Sequence, residues 1–302
     1  MSNTDGIVED VIVHGIASVF CPPEYRRRGY AARHMTELVK ALRTWQSDQG
    51  RVAGSVLYSD IGKSFYAKFG WKPNLTNWHV EIRSKNMPRS PLTQGLIEDD
   101  LGELCRRDEV SIREIMARRT DEVKTLITIL PDLDHMLWHI AKENFATKWL
   151  FGKRPRAKGS IAGPPGSQVW AIWTHRYYVH PNMEASSNTL YILRLVVEGD
   201  DCVTKPTPIE KNDMRTKGPL NQAESLIAVL QHALAEAAEW KLNHVKLWEP
   251  SPWVQDVIKG SNINHRIIER EEDSIASGLW YGENGGYEAS PKWINNEHYA
   301  WC

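Results

Sequence analysis

The pattern Arg26-x-x-Gly29-x-Ala31 is the place on this chain where residue types and spacing most clearly suggest chemistry. It follows an apolar stretch, Ile16 to Cys21, that reads as a strand stopping at Pro22-Pro23. Beyond it Ala31, Met35, Leu38, Leu42 and Trp45 recur at three- and four-residue intervals, which predicts one face of a helix. A strand, a glycine-containing basic turn and a helix leave several backbone N–H groups free at a helix N-terminus. The helix dipole favours an anion there, and phosphate is the usual one. Gly29 and Ala31 serve by being small, because backbone that touches a pyrophosphate cannot carry bulk. The N–H groups of Arg27, Arg28, Gly29, Tyr30, Ala31 and Ala32 are the candidates to hold such a group, with Arg26 and Arg28 adding charge. The plain alternative is a surface turn that carries three arginines.

Other residues are weaker candidates. His135 and His139 lie four apart on an expected helix, which is metal-ligand spacing. Leu137 and Trp138 stand between them and no third ligand is near, so packing is the better reading and no metal is expected. Cys21, Cys105, Cys202 and Cys302 are far apart, with no Cys-x-x-Cys pair, which suggests free thiols in a reducing compartment. At a formal net charge of −1 the chain is a poor candidate for binding nucleic acid by bulk electrostatics. Its 302 residues are 41% hydrophobic and 25% charged, an ordinary globular balance. The polar start Met1-Ser-Asn-Thr-Asp-Gly6 has no apolar core of a signal peptide, and no run approaches membrane-spanning length. Cytoplasm, or nucleus, is the expectation, with no membrane partner.

A second motif follows the first. Gly54 to Tyr58 reads as a buried strand, and Ser59 to Trp71 contains Tyr66-Ala-Lys68-Phe-Gly70-Trp71. The two motifs, in that order and at that spacing, resemble the GNAT (Gcn5-related) N-acetyltransferases. That family carries Gln/Arg-x-x-Gly-x-Gly/Ala for the pyrophosphate and a later Tyr-x-Lys-x-Gly-Phe. The resemblance covers roughly residues 8–83. It implies an α/β fold with a mixed sheet and acetyl-CoA as co-substrate. It also implies direct attack of an amine on the thioester in a ternary complex. Backbone N–H groups of Val19, Phe20 and Cys21 would align the pantetheine arm and stabilise the oxyanion. Tyr66 matches the general acid for the departing thiolate; the rival reading is a core aromatic. Ser59 stands where many members carry asparagine, and that role is not carried over. Cys21 is read as an inert thiol, since direct transfer needs no protein nucleophile.

The elements that must position these residues are legible only in part. In the resembled fold three strands and two helices precede the motif strand. Here about fifteen residues do, enough for the edge of a third strand at Ile7 to Val13, so an N-terminally truncated domain over 1–83 is expected. Ser84 to Gly95 reads as a linker with prolines and serines. Residues 96–302 then run helix, helix, strand, strand, helix, strand, helix, which suggests a second, degenerate copy of the same fold. Its equivalent turn, Lys217-Gly-Pro-Leu-Asn-Gln222, carries a proline where an N–H is needed and is not expected to hold coenzyme A. With ten of thirteen tryptophans beyond residue 130, the layout is similar to the fungal lysine N6-acetyltransferases. This implies the side-chain amine of free L-lysine as acceptor. A protein amine or a polyamine remains an alternative acceptor, and a coenzyme-binding protein without turnover an alternative function. The base is not identified, although the C-terminal carboxylate of Cys302 is one candidate.

Overall fold

The computed structural model describes residues 1–3, 5–118, 125–183, 187–199, 222–282 and 290–301. A first βαβ unit comprises β1 (Ile12–Ile16), α1 (Tyr30–Leu42) and β2 (Val52–Ser59). It is followed by β3 (Lys72–Pro73), β4 (Trp78–Arg83), β5 (Thr93–Leu96), α2 (Leu101–Ala117), β6 (Leu126–Ile127) and α3 (Leu133–Phe151). The hairpin of β7 (Gly159–Ala162) and β8 (Val169–Arg176) leads to a second βαβ unit, formed by β9 (Thr189–Val197), α4 (Gln222–Glu239) and β10 (His244–Trp248). The order closes with α5 (Pro252–Gly260), β11 (His265–Glu269), β12 (Ile275–Trp280) and β13 (Lys292–Trp293).

Four strands form a sheet in the order β1-β2-β12-β3, and seven form another in the order β11-β4-β10-β9-β8-β7-β5. In both, the strands of the βαβ unit are parallel neighbours. Each unit is closed by an antiparallel strand from the other half of the chain: β12 beside β2, and β4 beside β10. This is the mixed α/β class that the sequence implies, with the same unit occurring twice. The stretch 84–95 does not part the two sheets, because strands cross it in both directions.

Side-chain alternation on β2 joins the layers. Val56 and Tyr58 point into a core shared with Trp170, Ile172 and Tyr191 of the larger sheet. Leu57 points the other way, onto Met35, Val39 and Leu42 of α1. The expected helical face therefore holds at Met35 and Leu42, whereas Trp45 lies beyond the helix and is 61% exposed.

Several local expectations are corrected. The motif strand is Ile12–Ile16, not Ile16 to Cys21. Parallel pairing ends at Ile16 opposite Leu57, while β2 continues to Ser59 beside β12. Val19 and Phe20 give the next stretch a strand's composition, but it has no strand to pair with. Ser18 sits at a φ of 56° and Phe20 is 73% exposed. The further strand expected from Ile7 reduces to a bridge between Val8 and Ser2. The helix expected over 61–69 is only a 3-10 turn at Tyr66–Phe69. Of the second copy's turn, Lys217 to Asn221 lie outside the described residues, as does Cys302. Among the described residues no helix is long and apolar enough to cross a membrane.

Candidate active site

Where β1 and β2 part, the chain leaves a groove of about 750 Å3 along Ala17 to Pro22, walled on the far side by Tyr30, Ala31, His34 and Leu38 of α1. Val13 of β1 packs with the core between the sheets, whereas Ile16 packs with the α1 core, as alternation requires. On the Val13 face lies a second cavity of about 570 Å3, lined by Val56, by Asp134, His135 and Trp138 of α3, and by Tyr299 to Trp301. Gly15 lines both spaces. With no side chain at that position, little but backbone separates them.

The groove ends at α1. Gly29 is the N-cap in the left-handed region, at φ 80°, and makes no side-chain cap. The first bond closing the helix runs from the Arg33 N–H to the Gly29 carbonyl, at 3.0 Å. The six consecutive N–H groups from Arg27 to Ala32 donate to no acceptor among the described residues, and neither do those of Ser18, Val19, Phe20 and Cys21. A Cβ built on Gly29 would meet nothing within 4 Å, so the turn opens onto free space. Arg27 and Arg28 are exposed beside it. Arg26 instead braces the wall: its Nε donates to the Cys21 carbonyl at 3.0 Å, and its guanidinium lies 5.9 Å from the Phe20 ring centroid. The free amides, the dipole and the charge fit a pyrophosphate, and the size is that of a ligand pocket.

Tyr66 is not among the residues lining either space. Its ring is buried in the α1 core, edge-on to Phe65 at 5.0 Å. Burial, and then the Asp60 carboxylate, push its phenol above the ordinary value. The glycine and tryptophan of the same motif are structural. Gly70 closes the turn at φ 106°, and Trp71 is fully buried with its indole N–H on Ser55 Oγ at 3.0 Å.

The second cavity is polar at one end. Asp10 pairs with Arg113 at 2.8 Å, and Glu9 with Arg51 at 2.7 Å. Asp134 is exposed and has no hydrogen bond or ion pair among the described residues. His135 and His139 diverge: the first lines the cavity, and the second is buried with Nε2 3.1 Å from the Tyr299 carbonyl.

A family profile described as the LYC1 GNAT-like C-terminal domain matches residues 77–302, three quarters of the chain. The chain belongs to this GNAT-like family. A lysine acetyltransferase from Yarrowia lipolytica is 24% identical over 282 residues, covering 80% of this chain and 67% of the relative. In this GNAT-like chain the profile begins at the threshold of β4, so the groove and α1 lie ahead of it. Of the walls of the second cavity the sequence singles out only His135, and there as a packing residue. They come from five separate segments, and local spacing carries no signal for that. The one hint was the aromatic ending at Tyr299 and Trp301.

Proposed function

We propose that this chain transfers acetyl from acetyl-CoA to a primary amine, with the side-chain amine of L-lysine as acceptor. The observation that carries the proposal is the meeting of two cavities at Gly15, one lined with free amides and the other with carboxylates. On this reading the N–H groups of Arg27 to Ala32 take the pyrophosphate, and those of Val19 to Cys21 face the pantetheine arm and the thioester oxygen. The amine enters from the cavity beside α3 and attacks the carbonyl carbon. The C–N bond forms as C–S breaks, and the thiolate takes a proton, for which Tyr66 is the donor named by the family resemblance. A protonated phenol at neutral pH suits that role. The relative's printed activity supports lysine as acceptor.

The burial of Tyr66 away from both cavities favours a second reading, in which the chain binds an acyl-CoA without turning it over. Thiol release from acetyl-CoA, measured with L-lysine, polyamines and a peptide amine, separates the two. Lysine-dependent release is expected. Binding of acetyl-CoA without release by any amine would establish the second reading.

A further inference from the structure

Resting on the acetyltransferase reading, we propose that His135, oriented by Asp132, is the base that accepts the proton of the acceptor amine. Asp132 is the N-cap of α3, and its Oδ1 accepts from both the backbone N–H of His135, at 2.9 Å, and the ring Nδ1, at 2.8 Å. A carboxylate can only accept, so Nδ1 carries the hydrogen and the lone pair of the neutral ring lies on Nε2. Nε2 has no hydrogen-bond partner among the described residues, and the residue lines the 570 Å3 cavity. A carboxylate-held imidazole with its far nitrogen free is the arrangement that general-base catalysis needs.

The surroundings agree. Asp134, one residue before His135, lines the cavity with no ion-pair partner among the described residues and supplies a negative charge to draw an ammonium group in. Trp138, Tyr299 and Trp301 offer apolar wall for an aliphatic stem. Among the described residues the other charged groups lining the cavity have partners: Glu9 with Arg51, Asp10 with Arg113, which also binds Glu109, and the Met1 ammonium, which donates to the Glu9 carbonyl at 2.9 Å. His139 is no rival, because burial pushes it down to about 4 and the Tyr299 carbonyl occupies its Nε2.

Protons balance as follows. Nε2 takes one from the ammonium, and the freed lone pair attacks the thioester carbon. Of the ammonium's three protons, one stays on the amide, one replaces the proton that the Tyr66 phenol gives to the coenzyme's sulfur and one leaves through His135, whose side chain is 40% exposed, to water.

The test compares wild type, His135→Gln and Asp132→Asn, an N-cap that preserves the helix. At neutral pH, kcat/KM for the amine is expected to fall about 100-fold in H135Q and about 10-fold in D132N. Acetyl-CoA affinity and melting temperature should stay at wild-type values. The deficit of H135Q should shrink as pH approaches the amine's own pKa, about 10.4, where substrate arrives deprotonated. An active wild type matched by H135Q across the pH range overturns the assignment alone. So does a deficit that persists unchanged at high pH. A wild type inert toward every amine overturns the acetyltransferase reading, and this one with it.

Discussion

At Gly29 the backbone occupies the left-handed region, at φ 80°, with open space where a side chain would begin. Gly29→Ala therefore clashes with nothing and costs only conformational strain, about 1–2 kcal/mol. The exposed turn can relax that strain by swinging its amides, so KM for acetyl-CoA should rise about 5- to 30-fold while the melting temperature holds. An unchanged KM would show that these amides are not the phosphate seat. Tyr66→Phe decides the other residue. If Tyr66 donates the proton, kcat falls about 100-fold and acetyl-CoA binding is retained. If it is only a core aromatic, loss of one hydroxyl leaves kcat untouched. The turn from Arg26 to Ala32 was legible in the sequence because seven contiguous positions make it, and glycine, alanine and arginine have local reasons to be there. The pairing of Asp132 with His135 was half legible: the cap could be read from composition, but not the cavity that the ring faces.

Among the elements, α3, β8 and α4 are tied by a buried chain of charges. Glu143 of α3 accepts from Lys158 and from His175 of β8, each at 2.5 Å, and His175 faces Glu236 of α4 at 3.4 Å. Arg89 reaches Glu236 at 2.6 Å from outside the sheet. Burial alone would push His175 down, but the carboxylates of Glu143 and Glu236 outweigh it and raise the imidazole to about 9. In the unfolded chain it titrates at about 6.5. Its contribution to stability is thus complete below pH 6.5 and is lost as pH rises from there towards 9. Urea melts at intervals across that window should show the decline, and His175→Gln should remove this part of it. Glu143→Gln strands two buried cations and should cost about 3–5 kcal/mol in the same melts. Nothing in the spacing of residues 143, 158, 175 and 236 announces this network. The misplaced motif strand has a related cause. Ala17 to Cys21 has the composition of a strand, but β2 ends at Ser59, two residues past the last pair at Leu57, and leaves most of that stretch without a neighbour.

For the whole molecule, the order of elements showed two βαβ units, because helical and alternating periodicities are local. Which strand closes which sheet was not legible, since β4 reads like any next strand of its own half. The exchange of β4 for β12 makes this chain behave as a pair of interlocked subunits joined by a tether. Cut between Lys85 and Met87, it should stay in one piece, with both fragments co-eluting and melting together. Produced separately, each fragment lacks a strand that its sheet needs and bares an edge open to aggregation. Produced together, they should assemble into a stable heterodimer recoverable through a tag on either one. An N-terminal fragment that is folded and monomeric by itself would contradict the interlock.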